Sequence, residues 1–598
     1  MNKFWTARDI AKMIDHSLLN PVMTIKDITD GCKLAVKYDV ATVCVKPSEL
    51  SIAASQLLGS DVLPTTVIGF PHGSNKTSVK VFEAREAIAD GARELDMVLN
   101  IGRLLSGDYE YVENDIRAVV EASHEQNVIV KVILENCYLT DEQKRAACAI
   151  CEKAGADFVK TSTGYGSGGA TLEDIALMRD ACSPKMRVKA AGGVRTLDKA
   201  VEVRAAGCDR FGATATKAIM DEALELDNKR NKMPWRLVQN KIVRYPGGRE
   251  IDKFRGVFPA RDDGRPEAWV GSDTRTIEAL QGSSDPNDGC AGCILPDGKQ
   301  LYLFDAINID PESVLGRRHI GINGPRLGFL VKLLDAERQL ILQAHPTREY
   351  AKEHFGSDYG KEESWYILGK RNDTAEPPYI LIGFKEGVTR EMFEAAYDAQ
   401  DIATLEGFCH KVRVETGDAF FIKAGVPHAV GPGCFLLEVQ EPTDITVDWR
   451  KLRSGTDEAQ EAHKQRLLGC YIYDGSGEDE NLCRYRIPPR IIRSGDWGYE
   501  ELILGQGQTD YFSSTKLHAK TEAELIKTGF PQIAVVTEGS GVLLCGGTAM
   551  RIRRGDELFI PYDTHKIRIK PSAAPAGARH TVTIVLCNPG QVYYDLMS

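Results

Sequence analysis

Eight short apolar, β-branched runs alternate with amphipathic stretches up to about residue 217, and no other feature constrains the fold as much. The runs fall at 13–16, 41–46, 65–70, 95–100, 128–135, 156–162, 187–192 and 209–214. Between them lie segments such as KTSVKVFEAREAIADGA and TDEQKRAACAICEKAGA, patterned as helices. Strand–helix alternation predicts a parallel sheet with right-handed crossovers. Runs apolar on both faces fit strands covered on both sides. Eight such units predict a (β/α)8 TIM barrel over residues 1–228.

A barrel of this kind carries its chemistry at the C-terminal ends of its strands. Asp96, Glu135, Lys160 and Lys189 interrupt the apolar runs there. A lysine inside a packed barrel is costly unless it is paired or used. Two lysines and an aspartate converging on one mouth make a Schiff-base constellation: the second ammonium, or burial, lowers the first lysine's pKa and frees an amine to attack a carbonyl. The carboxylate can then move protons on and off carbon. Glycine clusters follow the last strands, in TSTGYGSGGAT, KAAGGVRT and DRFGATAT. One such cluster is an ordinary turn. Three around the final strands are a place for backbone N–H groups to meet a phosphate.

The remaining residues, to 598, exceed what one core can serve, because cores stop growing at roughly 250–300 residues. Past a charged linker near 228–233 the pattern becomes β-rich. RQLILQAHP, ESWYILG, PYILIGF, DAFFIKAG and CFLLEVQ read as short strands separated by turns, with TREMFEAAYDAQDIATLEGF as a helical insert. QIAVVTEGSGVLLCGG, AMRIRRGDELFIPYDTH and HTVTIVLC repeat the β pattern. Two β-sandwich or jelly-roll lobes are expected, at 233–460 and 461–598. In the first lobe Gln343 and His345 are two apart, hence on one strand face. Glu363 precedes SWYIL and His428 ends GDAFFIKAGVPH. Singly, each is an ordinary core or surface side chain. Together, one amide, two imidazoles and a carboxylate can hold a zinc-like ion with a position left open, and other divalent ions suit the same set. In the second lobe RRGDELFIPYDTH echoes this element, but His565 has no comparable partners and reads as structural.

Composition narrows the functional classes. Lys+Arg 74 against Asp+Glu 85 gives a net charge of −11, which speaks against a nucleic-acid or anionic-membrane binder. No run approaches the ~18 apolar residues of a membrane helix, and the first twenty residues lack the apolar stretch of a signal peptide, so a cytoplasmic enzyme is expected. The 15 cysteines are scattered, and the CxxC pairs Cys148/Cys151 and Cys290/Cys293 each lack the second pair of a zinc ribbon.

IDHSLLNP, VCVKP, IGFPHG, ELDMVLNIG, VKTSTG and VKAAGGVRT, across about residues 8–220, resemble deoxyribose-phosphate aldolase. The resemblance implies a metal-independent aldolase that cleaves 2-deoxyribose 5-phosphate to acetaldehyde and glyceraldehyde 3-phosphate. It implies Lys160 as the Schiff-base lysine, Lys189 as its perturbing neighbour, Asp96 as the proton-transfer group and Asp15 as a supporting carboxylate. The implied phosphate contacts are Gly164, Gly192, Gly193 and Thr214. Ala215 stands where that family often has a second hydroxyl residue. Cys44 occupies a position where the family often has a cysteine, and reads as a buried thiol.

EAWVGS, LGFLVKLLDA, LQAHP, GKEESWYIL and GVPHAVG, within 233–598, resemble class I mannose-6-phosphate isomerases, which have cupin folds. That resemblance implies zinc on Gln343, His345, Glu363 and His428, with Lys361 near the sugar phosphate or the reacting atoms. The chemistry it implies is an aldose–ketose proton shuttle. One departure is plain: Asp448 stands where the family has an arginine, and Arg450 lies two residues on, on the same strand face. The expectation is therefore a bifunctional enzyme acting on small phosphorylated sugars, with an aldolase fused to a retuned or purely binding cupin module as the alternative. An aldolase for another short phosphorylated aldehyde also fits the glycine loops. A homo-oligomer is compatible with both resemblances.

Overall fold

The computed structural model describes residues 5–282, 284–452, 454–505, 507–572 and 581–590. The chain divides into two units, Met1–Asn228 and Lys229–Ser598. In the first, eight parallel strands close a barrel in sequence order: β1 (Ile14–Leu18), β2 (Thr42–Val45), β3 (Leu63–Ile68), β4 (Glu94–Val98), β5 (Ile129–Ile133), β6 (Phe158–Lys160), β7 (Arg187–Ala190) and β8 (Arg210–Ala213). β8 pairs back onto β1, with Asp15 opposite Gly212. The TIM barrel expected from the alternation is the observed fold.

Threonine marks the entry to several surrounding helices. Thr140, Thr171 and Thr196 accept backbone N–H groups of the third helical residue, satisfying donors the first turn leaves open. At Thr140 the Gln143 side chain answers by accepting the Thr140 N–H, completing a capping box. These caps fix where each loop ends, and so hold the loops above β5, β6 and β7 at the barrel mouth. The helices bury their apolar faces on the strands, in one continuous core that includes Leu95, Val130, Val159, Val188 and Phe211. Cys148 and Cys151 lie one turn apart on the helix Asp141–Ala154 and are buried there.

The second unit is sheet-rich. A six-stranded sheet contains Leu330–Asp335, Cys434–Gln440 and Glu363–Lys370 as neighbours, and a five-stranded sheet contains Tyr379–Phe384, His428–Val430 and Gln343–Ala344. They share a core of Trp365, Ile367 and Leu436 from one sheet with Ile380, Ile382 and Val430 from the other, the face-to-face burial of a sandwich. The expected helical insert is present as Arg390–Ala399 and Ile402–Gly407. A third sheet of 12 strands forms the other lobe around Gln532–Cys545.

The lobes do not follow one another in sequence as 233–460 and 461–598. Strands Trp235–Leu237, Gly292–Ile294 and Gln300–Tyr302 belong to the 12-stranded sheet: Trp235 and Arg236 pair with Phe559 and Leu558. Conversely the helix Asp457–Cys470 buries Leu467, Leu468 and Cys470 in a cluster with Phe393 and Tyr397 of the first lobe. Alternation identifies a strand but not its partner, because pairing is settled by contacts far apart in sequence.

Candidate active sites

Lys160 is the last residue of β6 and Lys189 lies in β7, directly opposite it in the parallel register. Both Nζ atoms reach the same oxygen, Oδ2 of Asp96, each at 2.7 Å. Lys189 also contacts Asp15, on β1. All four side chains are buried, and Lys160, Lys189 and Asp15 line a cavity of about 620 Å3 at the barrel mouth. Burial, and then the Lys189 charge, press the Lys160 amine below the ordinary lysine range despite the pull of Asp96. Burial also works against the Lys189 charge, but Asp15 and Asp96 outweigh it and hold that amine above the ordinary range. Burial disfavours the Asp96 carboxylate as well, yet Lys131, Lys160 and Lys189 keep it ionised. The two lysines are thus driven apart: one toward free amine, the other toward fixed ammonium.

Gly164, Gly192, Gly193 and Thr214 line the same cavity. Gly192 and Gly193 have φ of 81° and 100°, a left-handed pair that only glycine adopts cheaply. A Cβ at Gly192 would also stand 3.0 Å from the Cα of Gly169. Glu135, just past β5, is buried with φ of 55°, and its carboxylate accepts the hydroxyl and backbone N–H of Thr163. It therefore pins the loop that carries Gly164. Cys44 lines the cavity, and burial keeps its thiol up at about 11.

Three residues of this cluster were not anticipated. Lys131 lies 2.8 Å from Asp96 and 2.5 Å from Glu94, and Arg210 donates to both Asp15 and Glu94. Glu94 is two residues before Asp96 and so shares its strand face, which is the signal that points to it.

In the second unit His345, Glu363 and His428 are brought together, all buried, with their ligand atoms within 4.8 Å of one another. Glu363 lies 3.2 Å from His345 Nε2 and 3.3 Å from His428 Nε2. The other ring nitrogens are occupied: His345 Nδ1 bonds the Ile445 carbonyl at 3.1 Å and His428 Nδ1 the Val426 carbonyl at 2.9 Å. That arrangement turns both Nε2 lone pairs inward, the tautomer a metal ligand needs. Burial, with Lys361 nearby, pushes His345 down to about 3, and burial lowers His428, so both imidazoles are neutral. Gln343 Nε2 is 3.3 Å from His428 Nε2, and Lys361 Nζ is 2.9 Å from Glu363. All the expected ligand residues converge.

Gln343 and Lys361 also border a cavity of about 580 Å3. Asp448 and Arg450 line it too; Asp448 sits opposite Gln343 in the sheet and chelates the Arg450 guanidinium, with Nε at 2.9 and 3.1 Å from its two oxygens. Arg450 therefore reaches the cavity, but as the partner of a carboxylate and with its side chain 63% exposed. Lys332, Glu438 and Glu267 line the same space and escaped the sequence reading. Lys332 is 3.6 Å from Glu438 and 3.8 Å from Glu267. Burial, and then the Glu363 charge, push the Glu438 carboxyl up to about 7. His565 is exposed.

Comparison with known proteins separates the two units. Residues 10–220 match the family described as DeoC/LacD family aldolase. A deoxyribose-phosphate aldolase of Clostridium perfringens is 52% identical over 214 residues, 36% of this chain and 95% of that protein. One from Thermococcus gammatolerans is 52% identical over 217 residues, 36% of this chain and 96% of that protein. In the second unit, the mannose 6-phosphate isomerase structure from Bacillus subtilis is similar at 20% identity, covering 59% of this chain and 99% of that one with a TM-score of 0.46. No helix among the described residues is long and apolar enough to cross a membrane.

Proposed function

The chain belongs, through its barrel, to the DeoC/LacD family of aldolases, and on that premise we propose that it is a Schiff-base lyase cleaving 2-deoxyribose 5-phosphate. The observation that carries this reading is the shared Asp96 oxygen: two lysines 2.7 Å from one carboxylate, one pressed below the ordinary lysine range by burial and the other held above it by Asp15 and Asp96. The free Lys160 amine adds to the C1 aldehyde of the open sugar, and water leaves to give an iminium. Loss of the C3 hydroxyl proton breaks the C2–C3 bond, its electrons pass into the iminium, and glyceraldehyde 3-phosphate departs. The enamine left behind takes a proton at C2, and hydrolysis releases acetaldehyde and the amine. Asp96, bonded to both Lys160 and Lys189, is positioned with Lys189 to relay these protons, and Asp15 holds Lys189. Backbone N–H groups at Gly164, Gly192, Gly193 and Thr214 are assigned to the phosphate. No metal is needed. Borohydride with substrate should trap an adduct on Lys160, seen by peptide mass spectrometry; full activity in Lys160→Ala would refute the assignment.

For the second unit the reading is a zinc-dependent aldose–ketose isomerase that converts mannose 6-phosphate to fructose 6-phosphate. The donor set fits a zinc-like ion: Nε2 of His345 and His428, the Glu363 carboxylate and the Gln343 amide oxygen. When bound, such an ion polarises sugar oxygens. The chain's own groups have the rest of the task. Glu438, with its carboxyl near 7, is suited to take and return a proton between adjacent carbons at neutral pH. Lys332 and Lys361 offer ammonium groups to sugar or phosphate oxygens. Asp448, in place of an arginine, favours a second reading, a cupin retuned to another sugar phosphate or one that only binds it. A coupled assay for mannose 6-phosphate isomerisation, run on zinc-loaded protein, chelated protein and His345→Ala, separates them: turnover lost in both controls supports the isomerase, and its absence from metal-replete protein supports the second reading. Both activities are placed in the cytoplasm, on the compositional argument.

A further inference from the structure

Three carboxylates, Asp15, Glu94 and Asp96, face four cations, Lys131, Lys160, Lys189 and Arg210, inside the barrel. Each of the carboxylates and lysines is buried, and the Arg210 side chain is 13% exposed. With every group ionised the cluster carries one positive charge too many, in a place where an uncompensated charge is expensive. The other groups around it do not alter the count. Cys44 is a neutral thiol, His16 is a neutral imidazole bonded to Thr216, and Glu135 is engaged with Thr163, with no ion pair to the four cations among the described residues.

Which cation yields its proton follows from the contacts. Arg210 cannot deprotonate. Lys131 has Asp15, Glu94 and Asp96 at 3.5, 2.5 and 2.8 Å. Lys189 has Asp15 and Asp96. Lys160 has Asp96 alone. The lysine with the fewest carboxylates is the one at the cavity. Arg210 and Glu94, 3.3 Å apart, lie at the other end of the barrel, where Arg210 opens β8 and Glu94 opens β4, and each adds one charge of opposite sign to the cluster.

We propose that Arg210 and Glu94, from the end of the barrel opposite the substrate cavity, set the charge balance that leaves the Lys160 amine without its proton. Neither touches the cavity; both act through Lys160 and are positioning residues. The inference rests on the aldolase reading. Removing Arg210 evens the count at three against three and lets Lys160 keep its proton. Removing the Glu94 charge widens the surplus and drives the proton off more readily. The two substitutions therefore move Lys160 in opposite directions, which a merely structural role for either residue does not explain.

The test measures, on the full chain, the rate of borohydride trapping of acetaldehyde on Lys160 across a pH series, by peptide mass spectrometry, alongside kcat/KM for 2-deoxyribose 5-phosphate. In Arg210→Met the acid limb should move up by about one to two pH units, a loss of at least about tenfold near neutral pH that alkaline buffer restores. In Glu94→Gln it should move down. Arg210→Lys, which keeps the charge, should retain the unsubstituted profile. Limbs that move in the same direction, or stay in place in variants with the unsubstituted circular dichroism spectrum, overturn the proposal. If Arg210→Met does not fold, Lys131→Met removes the same charge and must give the same upward movement. Absence of any Lys160 adduct in the unsubstituted protein defeats the aldolase reading itself, and the proposal with it; trapping without the opposed movements defeats the proposal alone.

Discussion

Lys160 and Lys189 stand opposite each other on adjacent parallel strands and both point at Oδ2 of Asp96, 2.7 Å from each. A single oxygen thus joins the amine proposed to attack and the ammonium that helps to lower its pKa. This geometry fixes the sign of the pH response. On the proposed chemistry activity needs the Lys160 amine, so it should be present above the pKa of that group and be lost as pH falls through it.

Lys189→Met removes one of the charges that depress Lys160. The acid limb of kcat/KM should move upward by about one pH unit or more, with turnover near neutral pH falling at least about tenfold and recovering in alkaline buffer. A pH series on the purified variant checks it.

Asp96→Asn should cost both chemistry and stability. Three lysines lose a buried partner, and breaking a buried pair typically costs about 3–5 kcal/mol. Loss of the carboxylate assigned to proton transfer should lower kcat by about 10²–10⁴-fold. Urea unfolding and steady-state kinetics on the same preparation separate the two effects.

Gly192→Ala places a Cβ 3.0 Å from Gly169 Cα on a left-handed backbone, at about 1–2 kcal/mol for the conformation alone. The loop it disturbs is the one assigned to phosphate. KM for 2-deoxyribose 5-phosphate should rise about tenfold or more, while KM for unphosphorylated 2-deoxyribose should change little. Equal changes for both sugars would count against a phosphate role.

Zinc should stabilise the second unit independently of turnover. At a hundredfold excess over Kd, binding to the native form adds about 2.7 kcal/mol. Differential scanning calorimetry with and without a chelator should show that gain. His345→Ala and His428→Ala should abolish it and leave aldolase activity unchanged.

Much of this was legible in the sequence, for local reasons. Strand–helix alternation predicts the barrel because each crossover unit is coded within about 30 residues. Lys160, Lys189 and Asp96 stand out because they interrupt apolar runs at strand ends. Gln343 and His345 stand out because a two-residue step keeps them on one face. What stayed hidden is non-local. Lys131 in IVKVI and Lys332 in LVKLLD sit within apolar strands, and only the fold shows which carboxylates receive them. Arg210 and Asp15 are 195 residues apart and meet only when β8 closes on β1. The pairing of Trp235 with Phe559 leaves no mark in either segment alone.

That last pairing has a consequence for how the protein is made. Domains generally fold as units as the chain leaves the ribosome. The barrel has all its strands by residue 213 and can close early. Strand Trp235–Leu237, by contrast, meets its partner Glu557–Ile560 only after more than 300 further residues. Throughout that interval it presents an unpaired edge, the kind of surface that recruits other chains. Synthesis halted before residue 557 should leave an active aldolase attached to an adhesive, incomplete second unit, so truncated products of this chain should aggregate through residues 235–302 rather than through the barrel.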